Sequence, residues 1–276
     1  MKHTDLDYIF HYTDVTAALS IIREREFWIS KHGSMNDSSE GNYCPLIAHQ
    51  YLIKEHERYA SKRKYDEAQL LLDICKNILQ SLNHDSYILS FSKNGDSLSQ
   101  WRAYTPEGGF SIGFPIDRVH SFCKDNGFPD LVKCSYDAEA HNETICNIVD
   151  SALGNGVAGM DSMAINAVSL KMIDELDGLA TEYKHPSFAD EQEYRIVAAT
   201  SNSDRKPDLR YNGKYIIPFT RLNADYLFPR DRETPLIVYF SPGAYSEDYI
   251  REISFWIQSF GLAIPEFRES KSPYIN

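Results

Sequence analysis

The order of strand-like and helix-like segments along the chain is the feature that most constrains its fold. Segments that are rich in β-branched or aromatic residues, or that alternate between apolar and polar residues, predict strands in both halves of the sequence. They lie at 8–12, 27–30, 87–92, 109–114, 131–136, 193–199, 214–219, 235–240 and 263–267. The helical patterns between them are clustered and do not alternate with the strands one for one. This order predicts an α+β fold and argues against a doubly wound sheet.

The longer helical segments are predicted to be insertions in one domain. Helical spacing of apolar residues, or helix-forming composition between turn signals, indicates these helices. They lie at about 43–60, 65–82, 141–153 and 160–183, with shorter helices starting after Thr13 or Asp14 and after Ser246. No stretch has the composition of a linker. We therefore expect a single domain over 1–276, with helical insertions at about 43–84 and about 138–184.

Composition and charge exclude several classes of protein. The chain has 276 residues, of which 42% are hydrophobic and 25% charged, as in a globular protein. It has no apolar run of the ~20 residues that a membrane helix needs. Residues 1–5 also lack the pattern of a signal peptide, so we expect a cytoplasmic protein. The five cysteines, an odd number without a CxxC pair, support neither a disulfide framework nor a zinc ribbon.

The acidic balance of the chain bears on its partners. Its 28 basic and 40 acidic residues give a net charge of -12, which disfavours nonspecific binding to duplex DNA. Two basic clusters occur in the sequence. The first, near a helix end, is expected to be a solvated face, whereas the second follows the 193–199 strand and is expected to flank the mouth of a binding cleft. The clusters are Arg58, Lys62, Arg63 and Lys64, and then Arg205, Lys206, Arg210 and Lys214.

Four polar segments are candidates for a functional site. His11, Tyr12 and Thr13 end the first strand, where binding groups often lie, and a polar loop occupies 36–40. Ser90 and Ser92 share one face of a strand because side chains alternate along it, and the carboxylates of Glu191 and Glu193 are related in the same way. Each segment alone also fits an ordinary structural role, such as a turn, a cap or a solvated strand face.

Taken together, these segments resemble a widespread bacterial family described only as a domain of unknown function. The resemblance rests on the order of the motifs and covers about residues 8–275. The motifs are HYT at 11–13, ND..E at 36–40, SFS at 90–92, W..Y at 101–104 with the strand GFSIGF at 109–114, E.EYR at 191–195, and SPY at 272–274.

The chain is also similar, more distantly, to ADP-ribosyltransferases. A His-Tyr pair on a first strand, the helix ALSII at 18–22 and a short strand ending at Ser30 resemble the opening of that superfamily. The segments SFS and EQE resemble the Ser-x-Ser and Glu-x-Glu motifs of its arginine-targeting branch. His11 instead resembles the branch that modifies nucleic acids or phosphates, and this mixture leaves the target class open.

This resemblance implies a split two-sheet core that uses NAD as a substrate and no metal. It implies an ADP-ribosyltransferase that modifies a macromolecule, either RNA, single-stranded DNA or protein. Tyr211 and Tyr215 are positioned in the sequence to stack on unpaired bases beside the second basic cluster. A bacterial toxin held by an antitoxin protein, or a phage-defence effector, is the context that such enzymes imply.

The resemblance also implies roles for individual residues. Glu193 is expected to stabilise the oxocarbenium-like charge at C1′ of the ribose, and Glu191 to orient or deprotonate the acceptor. His11 would bind the adenosine-side ribose or help to seat the nicotinamide. Stacking on the nicotinamide ring is expected from Tyr12, Trp101 or Tyr104. Thr13 and Ser30 are further NAD-binding candidates. Ser90 and Ser92 would organise Glu193 through hydrogen bonds. Arg195 would contact the pyrophosphate or neutralise a neighbouring carboxylate.

Two other hypotheses compete with the transferase. The first is a metal-dependent nuclease or phosphoesterase that binds Mg²⁺ through Asp37, Glu40, Glu191 and Glu193. The second is a non-catalytic NAD-sensing or interaction domain. The transferase hypothesis carries its own geometric expectation, which is that His11, Ser90 and Glu193 line one cleft.

Overall fold

The structure is a computed structural model that describes residues 7–34, 41–80, 86–154, 156–199, 207–211 and 214–273. Its strands are β1 (Tyr8–Asp14), β2 (Glu26–Lys31), β3 (Ser86–Ser92), β4 (Gly109–Pro115), β5 (Val132–Lys133), β6 (Glu193–Ala199), β7 (Asp208–Tyr211), β8 (Ile216–Asn223), β9 (Ile237–Phe240) and β10 (Glu266–Glu269). Its α-helices are α1 (Val15–Glu24), α2 (Tyr43–Ser61), α3 (Tyr65–Gln80), α4 (Leu98–Tyr104), α5 (Ile116–Asp125), α6 (Ala138–Leu153), α7 (Ser162–Ala180) and α8 (Glu247–Ser259).

These elements form a mixed α/β fold around one large mixed sheet. The strand order is β10-β9-β4-β1-β3-β2-β8-β7, with β6 paired to β3 and β5 paired to β6. The pair β10 and β9 is parallel, whereas β1 is antiparallel to β4 and β3 to β6. Within the described residues, no helix is both long and apolar enough to cross a membrane.

The chain divides into two compact units. The first comprises Met1–Ser30, Ser86–Lys133 and Ala189–Asn276, and the second comprises Lys31–Asp85 and Cys134–Phe188. Both predicted insertions fall in the second unit. There α2, α3, α6 and α7 pack around their own apolar core, which contains Leu52, Ile74, Ile145, Met172 and Leu176. All the predicted NAD-binding and catalytic residues lie in the first unit.

The central strands of the first unit have two different faces. One face, called here the core face, packs against α1, α5 and α8. It carries the strand residues of the larger apolar cluster, among them Ile9, Phe27, Phe91 and Ile196. The other, called the Phe10 face, carries a smaller cluster of Tyr8, Phe10, Tyr12, Trp101, Ile237 and Tyr239. Because strand side chains alternate, neighbours along one strand belong to opposite faces.

The sheet splits at β3. This strand has three neighbours, β1, β2 and β6, although a strand has only two hydrogen-bonding edges. Strand β6 pairs with β3 along its whole length, so β1 and β2 share the other edge. The register of β1 on β3 has one pair, Phe10 with Ser92. Beyond Phe10, β1 therefore leaves β3, and a split opens between β1 and β2.

The predicted elements agree with the structure where the sequence pattern was long and regular. The β6 bounds are as predicted, and Asp14, one of the two predicted caps, accepts a hydrogen bond from the Ala17 N–H at 2.8 Å. The strand expected at 131–136 is wrong in length, because only Val132–Lys133 pair with β6. Strand β7 and helices α4 and α5 were not predicted. The loop at 36–40 lies outside the described residues.

Close packing around Phe10 generates the first prediction. A Cβ added at Gly113 would lie 2.5 Å from Cε1 of the Phe10 ring, whose residue is fully buried. Gly113→Ala should therefore lower the free energy of unfolding by about 1–3 kcal/mol. Urea unfolding measures this.

Gly178→Ala is the matched control, because it adds the same methyl group in α7 where nothing lies within 4 Å. It should stabilise the protein by roughly 0.5–1 kcal/mol through helix propensity. Equal stabilities of the two variants would contradict the packing described for Phe10.

Candidate functional site

His11 occupies the split between β1 and β2. Its Nδ1 atom lies 3.0 Å from the backbone carbonyl oxygen of Ser90 in β3. That carbonyl faces the edge that β1 has left, so the imidazole supplies the hydrogen bond there in place of a neighbouring strand. The ring packs edge-on against Phe27 of β2 and Phe91 of β3, with centroids 5.2 and 6.0 Å away. Two aromatic side chains, from β2 and β3, and one backbone carbonyl of β3 thus hold the histidine in one position.

The surroundings of His11 fix its chemical state. Burial lowers the pKa of His11 below its ordinary value, the hydrogen bond to Ser90 opposes this shift, and the charge of Arg210 adds to it. A carbonyl oxygen only accepts, so Nδ1 carries the proton of the neutral ring. The other ring nitrogen, Nε2, is then a hydrogen-bond acceptor. Such a nitrogen suits a ligand hydroxyl group.

Ser90 and Ser92 have different partners. The Ser92 hydroxyl donates to the backbone oxygen of Glu191 at 2.7 Å and accepts from the Asn94 N–H at 3.1 Å. These bonds fix the backbone of Glu191 beside the end of β3. The Ser90 Oγ atom is buried and has no hydrogen-bond partner among the described residues. Of the two predicted serines, only Ser90 has a hydroxyl left for a ligand.

Glu193 is engaged in a buried ion pair. Its two carboxylate oxygens accept hydrogen bonds from Nε and Nη2 of Arg195, each at 2.9 Å. The residues are 4% and 1% exposed, respectively. Of the two roles predicted for Arg195, the structure shows neutralisation of a neighbouring carboxylate. This fork holds the Glu193 carboxylate in one position, but it also occupies the group expected to act in catalysis.

Glu191 has a different environment from Glu193. It ends a 3-10 helix at Pro186–Glu191 and is partly exposed. The next residue, Gln192, has a φ of 43°, a left-handed conformation that turns the chain sharply into β6. Glu191 is therefore presented at a turn, next to the point where the split begins.

The three aromatic residues predicted to stack on nicotinamide are packed in the protein interior. The Tyr12 hydroxyl donates to Asn94 O and accepts from Ser97 N, each at 2.8 Å, and its ring lies 4.8 Å from Trp101. Trp101 is fully buried and donates through Nε1 to Asp96 at 2.8 Å. Tyr104 packs beside them, partly buried. In this arrangement, neither Tyr12 nor Trp101 presents an open ring face to a ligand.

Ser30 contacts Arg210, a residue that the sequence did not predict as part of the site. The Ser30 hydroxyl is buried and accepts a hydrogen bond from Nη2 of Arg210 at 2.9 Å. Arg210 lies on β7 and reaches across β8 to β2. The sequence places Arg210 only in a basic cluster, whose Arg205 and Lys206 lie outside the described residues. Thr13 is buried on the core face, two residues after His11.

The pleat of the sheet decides which predicted residues come together. Phe10, Ser92 and Glu193 are cross-strand partners and therefore share the Phe10 face. His11 follows Phe10 in β1 and points to the core face. The prediction that His11, Ser90 and Glu193 line one cleft is therefore wrong for Glu193. The structure joins His11 to Ser90 and places Glu193 on the opposite face from His11.

The described residues also bear on the metal hypothesis. No group of three or more His, Cys, Asp or Glu side chains within those ranges is arranged to hold a metal ion. Asp37 and Glu40, two of the four proposed Mg²⁺ ligands, lie outside them. The other two ligands differ in environment, because Glu193 is bound by Arg195 while Glu191 is partly exposed.

Comparison with known proteins gives one match. A family model described as "Protein of unknown function (DUF2971)" matches residues 100–196. This match supports the resemblance to a family of unknown function over residues 100–196. His11 and Ser90 precede the matched range. No curated protein and no solved structure matches the chain.

The Glu193–Arg195 pair generates the second prediction. Glu193→Ala removes the carboxylate that accepts two hydrogen bonds from the buried guanidinium of Arg195, and it should lower the free energy of unfolding by about 3–5 kcal/mol. Replacing both residues, with Glu193→Leu and Arg195→Met, should recover much of this loss. Thermal or urea unfolding of the single and double variants measures both effects.

The chain contains a matched control on β10. Arg268 and Glu266 have the same two-residue spacing and the same 2.9 Å Nε–Oε1 distance, but their side chains are 20% and 28% exposed. Glu266→Ala should cost about 1 kcal/mol or less. If Glu193→Ala and Glu266→Ala lowered the free energy of unfolding equally, burial of the Glu193–Arg195 pair would not determine its contribution to stability.

Proposed function

We propose that the first unit is an NAD-dependent ADP-ribosyltransferase that binds the dinucleotide at the split of its sheet. One observation carries the proposal: β1 leaves β3 after Phe10, and the neutral imidazole of His11 is fixed in the opening by the Ser90 carbonyl. The split in the sheet at β3 and the histidine on β1 are the features that support the resemblance to ADP-ribosyltransferases.

The proposed reaction breaks the bond between C1′ of the ribose and the nicotinamide nitrogen. The electron pair of this bond leaves with the nicotinamide, and positive charge develops at C1′ as in glycoside cleavage. A nucleophile of the acceptor then bonds to C1′ and loses its proton to a base. A fixed carboxylate stabilises the developing charge, since it is already oriented before the reaction.

The carboxylate is assigned to the 191–193 segment. Glu193 is held by its ion pair with Arg195, whereas Glu191 is more exposed and lies at the turn beside Ser92. Glu193 would act from the Phe10 face, which it shares with the Ser90 hydroxyl. Glu191 would act on the acceptor or on C1′ itself. Substitution of each residue separates these roles.

The acceptor is proposed to be a macromolecule that contacts the β7–β8 hairpin. Tyr211 and Tyr215 are 70% and 53% exposed, and the ammonium group of Lys214 lies 4.9 Å from the ring centroid of Tyr215. Exposed aromatic rings next to a cation suit unpaired bases. Incubation with labelled NAD and separate RNA, single-stranded DNA and protein fractions tests the acceptor. Label in none of them, with free ADP-ribose accumulating, would make the protein an NAD hydrolase.

A second candidate is a non-catalytic NAD-binding module. The buried Glu193–Arg195 pair favours it, because a carboxylate already held by two hydrogen bonds is poorly placed to respond to charge at C1′. Such a module would bind NAD at the split without releasing nicotinamide. Measurement of binding and release on the same sample distinguishes the two functions.

The third prediction concerns nicotinamide release. The wild-type protein should release nicotinamide from NAD, and Glu191→Gln should reduce the rate on the order of 10²-fold if Glu191 stabilises charge at C1′. Chromatographic quantification of nicotinamide measures the rate. Glu252→Gln, on the exposed surface of α8, is the control and should leave the rate unchanged.

Glu193→Gln completes this test. Its unfolding curve must be recorded beside its activity, because the substitution also weakens the pair with Arg195. A folded but inactive Glu193→Gln variant assigns the charge-stabilising role to Glu193. Full nicotinamide release by both the Glu191→Gln and the Glu193→Gln variants would refute the assignment of the carboxylate to this segment.

A further inference from the structure

Arg210 is a cation without a counter-charge in the described part of the first unit. Its guanidinium makes one hydrogen bond, from Nη2 to the Ser30 hydroxyl, and its Nε is buried without a partner among those residues. A guanidinium has five N–H donors, and a buried donor left unpaired is unfavourable. The site therefore has donors available for an anion.

The carboxylates near Arg210 in the fold are used elsewhere. Asp14 caps α1 by accepting from the Ala17 N–H, and Asp208, two residues before Arg210 on β7, accepts from the Leu209 N–H at 2.8 Å. Neither forms an ion pair with Arg210 within the described residues. Burial lowers the pKa of Arg210, and the charge of Asp14 only partly opposes this.

The polar groups around Arg210 share one face of the sheet. Arg210 pairs with Ile217 and Ser30 pairs with Phe219, and these two β8 residues lie on the same face.

We propose that Arg210, with the hydroxyl group of Ser30, forms an anion subsite that binds the diphosphate of the dinucleotide; this inference rests on the proposed function. The unpaired Nε and a neighbouring N–H of Arg210 match two phosphate oxygens, since a guanidinium binds phosphate as a planar fork. The hydroxyl group of Ser30, which accepts from Nη2 of Arg210, donates to the same anion.

The test uses inorganic pyrophosphate as a probe of the subsite, independent of NAD chemistry. Isothermal titration of the full chain should show pyrophosphate binding that Arg210→Gln weakens by roughly tenfold or more, the effect of losing charge-assisted hydrogen bonds. Arg210→Lys keeps the charge but loses the fork and should bind with intermediate affinity. Arg221→Gln, an exposed arginine on the adjacent strand β8, is the control and should bind as the wild type does. Unfolding curves of all the variants establish that they are folded.

The outcomes separate this inference from the proposed function. Wild-type protein that does not bind pyrophosphate at millimolar concentration, or equal affinity of Arg210→Gln and Arg221→Gln, overturns the subsite. An unchanged KM for NAD in Arg210→Gln overturns it as well, while the transferase stands. Pyrophosphate binding that depends on Arg210, in a protein that does not release nicotinamide from NAD, supports the subsite and contradicts the transferase function.

Discussion

The hydrogen bond between the His11 imidazole and the Ser90 carbonyl is the interaction on which the candidate site depends. It forms where β1 stops pairing with β3, so it satisfies a backbone acceptor that would otherwise lie unpaired in the interior. The same bond sets the tautomer of the ring and leaves Nε2 as an acceptor. One contact thus stabilises the split in the sheet and prepares it for a ligand.

The large elements were predictable because their patterns are long. Strand β6 and the four helices of the second unit follow from apolar spacing or helix-forming composition over many residues. The missed elements lack this signal. Helix α4 has seven residues, and β7 has four that are largely exposed at the sheet edge. The strand predicted at 131–136 has only two residues, β5. Such short elements depend on pairing partners that are distant in sequence.

The candidate site was predictable only in part, because register is a tertiary property. Alternation correctly indicates that Ser90 and Ser92 share a face, but the pairing of Ser92 with both Phe10 and Glu193 is not visible in the chain. That pairing sets Glu193 on the opposite face from His11. The pairing of β7 with β8 likewise brings Arg210 to Ser30, across 180 residues of sequence.

The central claim is that the split holds NAD through His11, and nitrogen NMR of the imidazole tests it most directly. In protein labelled with ¹⁵N-histidine, with His11 assigned by its loss in His11→Gln, Nδ1 should carry the proton and Nε2 should be bare. Addition of NAD should move the Nε2 resonance in the direction of a hydrogen-bonded acceptor, while Nδ1 stays bound to Ser90. His11 resonances that do not change at saturating NAD, or an Nδ1 without its proton, would contradict the account.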